Sequence, residues 1–235
     1  MHNFIITIDQ GNTNTTCALF DHGDKLLSLF GFSELEKVIS NYNLTSENTQ
    51  AALSSVVKTK VEVPFKTINI QDYFKENKFI DMPVNYTSTL GIDRLCISYP
   101  LYKKDNKAYL CIDCGTFTTV DSIDIKGFNG GYILPGLELL FKSYERGDQL
   151  HIPSLRPYSL SLPHSTQEAI DLGAALSFLE PIKSIIEKQD PREVILTGGN
   201  SEYLYSFLKE SADYNMTLNS DLMHHSLLFI FREVV

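Results

Sequence analysis

The chain has 235 residues, 43% hydrophobic and 21% charged, with a formal charge of -9. Such a chain can bury a sizeable core, either as one large domain or as two lobes of about a hundred residues each. The excess of 29 Asp+Glu over 20 Lys+Arg repels a polyanionic backbone, so nucleic acid is not expected as a partner. A nucleotide is not excluded, because backbone N-H groups and a bound cation can hold phosphates without basic side chains.

Residues 1–9 carry no basic leader and run into Asp9 after a short apolar stretch, which predicts no signal peptide. No apolar run approaches the roughly 18 residues of a membrane-spanning helix, so a cytoplasmic location without a membrane partner is expected. Cys17, Cys96, Cys111 and Cys114 make no disulfide framework and are expected as thiols. Cys111 and Cys114 match C-x-x-C, but they fall in a predicted strand and lack a second pair to complete a zinc site. His224 and His225 have no acid or cysteine at ligand spacing and read as the surface of a C-terminal helix.

In chain order, residues 3–9 form a predicted strand, Gln10 to Asn14 a turn, and Thr15 to Phe20 a second strand. Lys25 to Phe32 is a third strand, Glu34 to Tyr42 a short amphipathic helix and Gln50 to Val57 a buried strand. Leu90 to Tyr102 has helical spacing and is read as a link between lobes. Ala108 to Asp113, Phe117 to Ile123 and Gly130 to Leu134 then repeat the opening meander. Pro135-Gly136 is expected to open a helix through Tyr144. Ser165 to Lys188 is a long helix, capped by Ser165 and Glu168 and bent at Pro181. Arg192 to Thr197 is a core strand, and Gly198-Gly199-Asn200 turns into a helix through Ala212. Asp221 to Glu233 closes the chain as a helix.

The repeat carries the chemistry. Ile8-Asp9-Gln10-Gly11-Asn12-Thr13 lies over Ile112-Asp113-Cys114-Gly115-Thr116-Phe117. Each places a carboxylate at a strand end, followed by small turn residues that let N-H groups approach phosphate, while an acid can hold Mg2+ through water. One such turn by itself reads first as an ordinary hairpin; two, in facing lobes, can grip one polyphosphate. No G-x-x-x-x-G-K-[ST] and no strand-linked G-x-G-x-x-G is present. Gly91-Ile92-Asp93-Arg94 sets an acid beside an arginine at a helix start, which by itself reads as a helix-start acid in a surface ion pair and, with the other motifs, suits a base and an anion clamp. Gly198-Gly199-Asn200 is either a glycine turn with no ligand or bare backbone offered to a flat group such as adenine.

The ordered motifs D-x-G-N-T (Asp9–Thr13), G-x-D-R (Gly91–Arg94), D-x-G-T (Asp113–Thr116), G-G-x-I-x-P-G (Gly130–Gly136), T-x-x-A-I-x-x-G (Thr166–Gly173) and T-G-G (Thr197–Gly199) resemble those of the type III pantothenate kinases. That family is a branch of the acetate and sugar kinase and actin superfamily. The resemblance spans nearly the whole chain. It implies an α/β chain of two similar lobes, 1–104 and 105–235, with a duplicated ribonuclease H-like (actin-like ATPase) fold. Each lobe would be a mixed sheet opening with a β-meander and flanked by helices.

The implied activity is ATP-dependent phosphorylation of pantothenate in coenzyme A synthesis, with Mg2+ and a monovalent cation, K+ or NH4+, in a homodimer. By the same resemblance Asp9, Gln10, Gly11, Asn12, Thr13, Asn14, Thr15 and Thr16 form the phosphate and Mg2+ turn, with Thr116 on an ATP phosphate. Gly198 and Gly199 take the nucleotide's base. Asp93 is the implied base, and Gly91, Ile92, Asp93, Arg94 and Thr166 contact pantothenate. Asp113 binds the monovalent cation. Val84 stands where the family usually carries a substrate-contacting tyrosine, and Tyr86 is the candidate substitute. Phe117 replaces the small residue usual after D-x-G-T. The alternatives are a non-catalytic nucleotide-binding relative, or a kinase for another sugar or small acid.

Overall fold

The computed structural model describes residues 3–147, 150–154 and 161–235. It forms two compact units, one of residues 1–105, 126–129 and 221–235, the other of residues 106–125 and 130–220.

In the first unit, β1 (Phe4–Gln10), β2 (Thr15–Asp21) and β3 (Leu26–Gly31) form an antiparallel meander. After α1 (Leu35–Tyr42), β4 (Thr49–Ser55) returns parallel to β1, and β5 (Lys66–Asn69) pairs parallel to β4. The period of two decides which faces are covered. Ile6 and Ile8 of β1 pack with Cys17, Leu19, Phe30, Leu35, Val38 and Leu53. The opposite face of β1, with Ile5 and Thr7, is also buried. Three two-residue strands, β6 (Phe74–Lys75), β7 (Lys78–Phe79) and β8 (Met82–Pro83), make a small sheet before α2 (Ile92–Lys104).

The second unit repeats the plan with β9 (Tyr109–Cys114), β10 (Phe117–Asp124) and β11 (Gly127–Pro135), followed by α3 (Leu137–Ser143) and α4 (Thr166–Gln189). β12 (Glu193–Thr197), α5 (Ser201–Ser211) and β13 (Met216–Leu218) complete it. The sheet orders are β3-β2-β1-β4-β5 and β11-β10-β9-β12-β13. They correspond strand for strand, with the fourth and fifth strands parallel in both. This is the duplicated ribonuclease H-like architecture, and each D-x-G turn sits at the end of its unit's central first strand.

The capping box forms at α4: Ser165 Oγ accepts from Glu168 N at 3.2 Å, while Glu168 Oε2 accepts from His164 N at 3.1 Å. The acid thus reaches one residue further back than the expected Ser165 amide. Pro181 is accommodated within α4. Pro135 ends β11 instead of opening a helix, and Gly136 is the cap of α3. The final helix, α6 (Leu222–Val234), groups with the first unit, as does the 126–129 segment; the division is therefore not a single cut after residue 104. α2 likewise lies within the first unit. Among the described residues, no helix is long and apolar enough to cross a membrane.

Candidate active site

The first D-x-G turn is a tight β1–β2 connection in which Gly11 N donates to Asn14 O at 3.0 Å. Asn12, Thr13 and Asn14 are exposed and Thr15 is partly so. Asp9 pairs across the strands with Thr16, so their side chains share a face of the sheet, and Thr7 lies on that same face. Gln10 points the other way. Its Nε2 donates to Thr59 O at 2.9 Å, and its Oε1 accepts from Ser55 Oγ at 2.9 Å and Val61 N at 3.2 Å. The Gln10 side chain therefore ties the segment after β4 to the turn, leaving its main chain to border the turn.

On the Asp9 face lies a residue that sequence reading placed on the surface. His224 of α6 is 5% exposed, with Nδ1 2.9 Å from Thr7 Oγ1 and Nε2 3.1 Å from Thr16 Oγ1. His225 is exposed and meets the edge of Phe20. Burial pushes the His224 imidazole down to about 4, against the opposing pull of Asp221. The unfolded histidine takes a proton near pH 6.5 and the folded one does not. Stability is therefore full above pH 6.5 and falls as pH drops toward 4, by about 2 kcal/mol at pH 5 from this group. Urea denaturation at pH 7.5 and 5 should show that loss in the natural protein and its removal in His224→Gln. Equal losses in the two proteins would rule it out.

Asp93 is the second residue of α2, where a carboxylate meets unpaired amide groups. Its Oδ1 accepts from Arg94 N at 2.9 Å. Gly91 leaves room for it, since a Cβ there would run into Asp93 Oδ1. Burial nevertheless raises the Asp93 pKa, outweighing the helix-end amide and the Arg94 charge. Asp9 and Asp93 both help push up the thiol of fully buried Cys96 on α2.

Arg94 is 4% exposed, its guanidinium 5.3 Å from the Tyr86 ring centroid and 5.6 Å from that of Phe128. The two rings meet edge to face at 6.0 Å. Cation–π contacts of this kind hold a guanidinium plane in place. Phe128 carried no signal in the sequence; it is set by the backbone bridge of Val84 with Phe128 and the Asn85 N to Phe128 O bond of 2.8 Å. Tyr86 also lines an open hollow of ≈ 610 Å³ with Asn77, Val84, Asn85, Thr87 and Thr89. Ile92 is buried beside it in sequence, with only its main chain at the helix start.

In the second unit three motifs converge. Asn200 N donates to Cys114 O at 3.1 Å, and Gly136 N to Thr116 O at 3.1 Å, so the T-G-G turn and the end of the G-G-x-I-x-P-G run both close on the 113–116 turn. Gly198 has φ +87°, and a Cβ there would strike Asp113 Oδ1 and come within 2.7 Å of Cys114 N. Gly198→Ala should thus cost about 2 kcal/mol or more, read as a lower denaturation midpoint; an unchanged midpoint would refute the close approach. Gly199 is open. Thr116 and Phe117 are exposed, and Thr166 is exposed at the first residue of α4.

Cys111 and Cys114 are three apart on β9 and so point to opposite faces. Burial and neighbouring acids push both thiols well up, and the same holds for Cys17, raised to about 12. All four cysteines are free and buried.

The model of a protein family described as type III pantothenate kinase matches residues 5–188. The chain belongs to that family. The match takes in five of the six motifs, and the T-G-G turn and α6 lie beyond it. A type III pantothenate kinase of Flavobacterium johnsoniae is 30% identical, covering 92% of this chain and 95% of the relative. One from Fervidobacterium nodosum is 26% identical over 91% and 94%. A solved Campylobacter jejuni protein, titled a Baf family transcriptional activator, has a TM-score of 0.62 at 20% identity, covering 97% of this chain and 98% of that one. That last likeness is one of fold.

Proposed function

We propose that the protein phosphorylates pantothenate with ATP, giving 4'-phosphopantothenate for coenzyme A synthesis. The observation that carries this reading, beside membership of the family, is that one unit holds both Asp9 and Asp93. One carboxylate ends a strand at a small-residue turn. The other, its pKa raised by burial, sits at the start of α2. Asp93 accepts the proton of the pantothenate hydroxyl as that oxygen attacks the γ-phosphorus and the bond to ADP breaks.

The turn from Asp9 to Thr16 contributes main-chain amides and the Thr13 hydroxyl to the phosphates, and Thr116 does the same; Thr15 lies on the Gln10 face, and the Thr16 oxygen, opposite Asp9, borders the cation's water shell. Gly198 and Gly199 give the base a side-chain-free surface. Arg94, held by Tyr86 and Phe128, orients pantothenate with Gly91, Ile92 and Thr166, and the hollow beside Tyr86 admits the substrate. In this role Tyr86 acts partly through Arg94.

The donor sets fit hard cations. Among the described residues, no three His, Cys, Asp or Glu side chains are grouped to hold a metal. A single carboxylate, Asp9, acting through water and completed by phosphate oxygens, is a set that Mg2+ accepts. Asp113, against the Gly198 turn, would hold K+ or NH4+. Bound there, the cations supply charge neutralisation for the phosphates. The homodimer implied by the family belongs to the same reading, and light scattering should give a mass of twice 26.6 kDa.

The test is ADP release in a coupled assay containing ATP, Mg2+ and K+. Turnover that depends on pantothenate is expected. Release indifferent to pantothenate, or its replacement by a sugar as the better acceptor, would overturn the reading.

A further inference from the structure

His224 has no part in the chemistry above, yet its placement is costly unless it does something. Along α6 its neighbours Leu222, Leu227, Leu228, Ile230 and Phe231 are buried apolar residues, and an apolar side chain would fill the same space without polar atoms to satisfy. Instead an imidazole is buried between two hydroxyls, one in the body of β1 and one at the open end of β2. A neutral imidazole carries one N-H and one lone pair. Thr7 Oγ1 donates to Ala18 O at 3.5 Å, so His224 Nδ1-H donates to Thr7 and Nε2 accepts from Thr16; both hydroxyls are fixed, and Thr16 turns its oxygen lone pairs toward the turn. Thr7 is fully buried, while Thr16 is exposed; without His224 the Thr16 side chain would be free to turn.

We propose that His224 is a positioning residue for the nucleotide side of the reaction, fixing the Thr16 hydroxyl at the phosphate turn from the far end of the chain. This rests on the reading of the Asp9–Thr16 turn as the holder of ATP phosphates. Thr7 is the anchor: Thr7, His224 and Thr16 form one relay, so the turn's geometry is set by the core of the sheet and not by the turn alone. Preorganising a group in this way lowers the ordering cost that binding otherwise incurs.

Steady-state kinetics of His224→Asn, His224→Gln and Thr16→Val test it. The Asn amide reaches the Nδ1 position, toward Thr7, and the Gln amide the Nε2 position, toward Thr16. His224→Asn should raise KM for ATP about tenfold, the scale of one lost hydrogen bond, and leave KM for pantothenate unchanged. His224→Gln should recover most of the loss. Thr16→Val should match His224→Asn, and the double variant should be no worse than either single change.

If Thr16→Val leaves ATP kinetics unaltered, the nucleotide-site role of the turn hydroxyl is wrong and the proposal falls with it. If Thr16→Val impairs ATP use while His224→Asn does not, or raises both KM values alike, the turn reading stands and the positioning role is overturned. Should the His224 variants fail to fold, 15N spectra of the imidazole in the natural protein decide. Mg2+ with a non-hydrolysable ATP analogue should shift the His224 resonances and pantothenate alone should not; no shift with the nucleotide would overturn the proposal.

Discussion

Asp93→Asn is expected to lower kcat by about a thousandfold, within the range general base catalysis supplies, while leaving the protein folded. The amide keeps an oxygen to accept from Arg94 N and fits the space left by Gly91. Its stability should equal or exceed that of the natural protein. Burial raises the Asp93 pKa, so its favourable contribution is present below the unfolded value near 3.9 and is lost as pH rises through the raised folded value. At neutral pH the ionised side chain therefore weighs against folding, and its neutral isostere removes that cost, a trade expected of an acid kept for chemistry. The same shift places the acid limb of the kcat/KM profile above the ordinary carboxylate range, because the base must be ionised to act. Thermal melts and pH profiles of the two proteins check both statements. An active Asp93→Asn would remove Asp93 from the role of base, and one that melts well below the natural protein would overturn the burial cost.

Asp9→Asn should cost about a hundredfold or more in turnover and raise the Mg2+ concentration needed for half-maximal rate. The carboxylate sits opposite Thr16 and helps hold up the thiols of Cys17 and Cys96, so its charge is felt within a poorly solvated neighbourhood where a divalent ion would be its natural counterweight. Losing the charge weakens that attraction and leaves the hairpin's shape intact, since the turn is closed by the Gly11 to Asn14 backbone bond. Calorimetric binding of Mg2+ and ADP separates this effect from catalysis: Asp9→Asn should bind the pair more weakly and ADP alone about as well. An unchanged Mg2+ requirement would dismiss Asp9 as the metal-side carboxylate.

The features legible in the sequence were those written in neighbouring residues. The Ile-Asp-x-Gly repeat gave both meanders because strand period and turn chemistry are local, and Ser165 with Glu168 marked the start of α4 for the same reason. What stayed hidden depended on distance along the chain. His224 finds its partners 217 and 208 residues away, so no spacing rule could register them, and a His-His pair near the end of the chain reads as helix surface. Gln10 looked like part of a nucleotide turn, but alternation on β1 sends its amide to Ser55 and Val61. Phe128 stands in an ordinary hairpin, and only the bridge to Val84 brings it to Arg94. Short strands such as β6, β7, β8 and β13 lack the length over which alternation can be recognised.

The return of α6 to the first unit bears on how the chain is made. The face of β1 and β2 that α6 helps cover includes Ile5, Thr7, Ala18 and Phe20, and residues 221–235 emerge after the whole of 106–220. At a ribosomal pace of ~5–20 residues per second, the early strands wait on the order of ten seconds for their cover. During that interval the nascent first unit presents an apolar patch that invites chaperone binding or misassembly. A circular permutant in which α6 precedes β1 would close that patch during synthesis, and should give a higher soluble yield in cells short of chaperones.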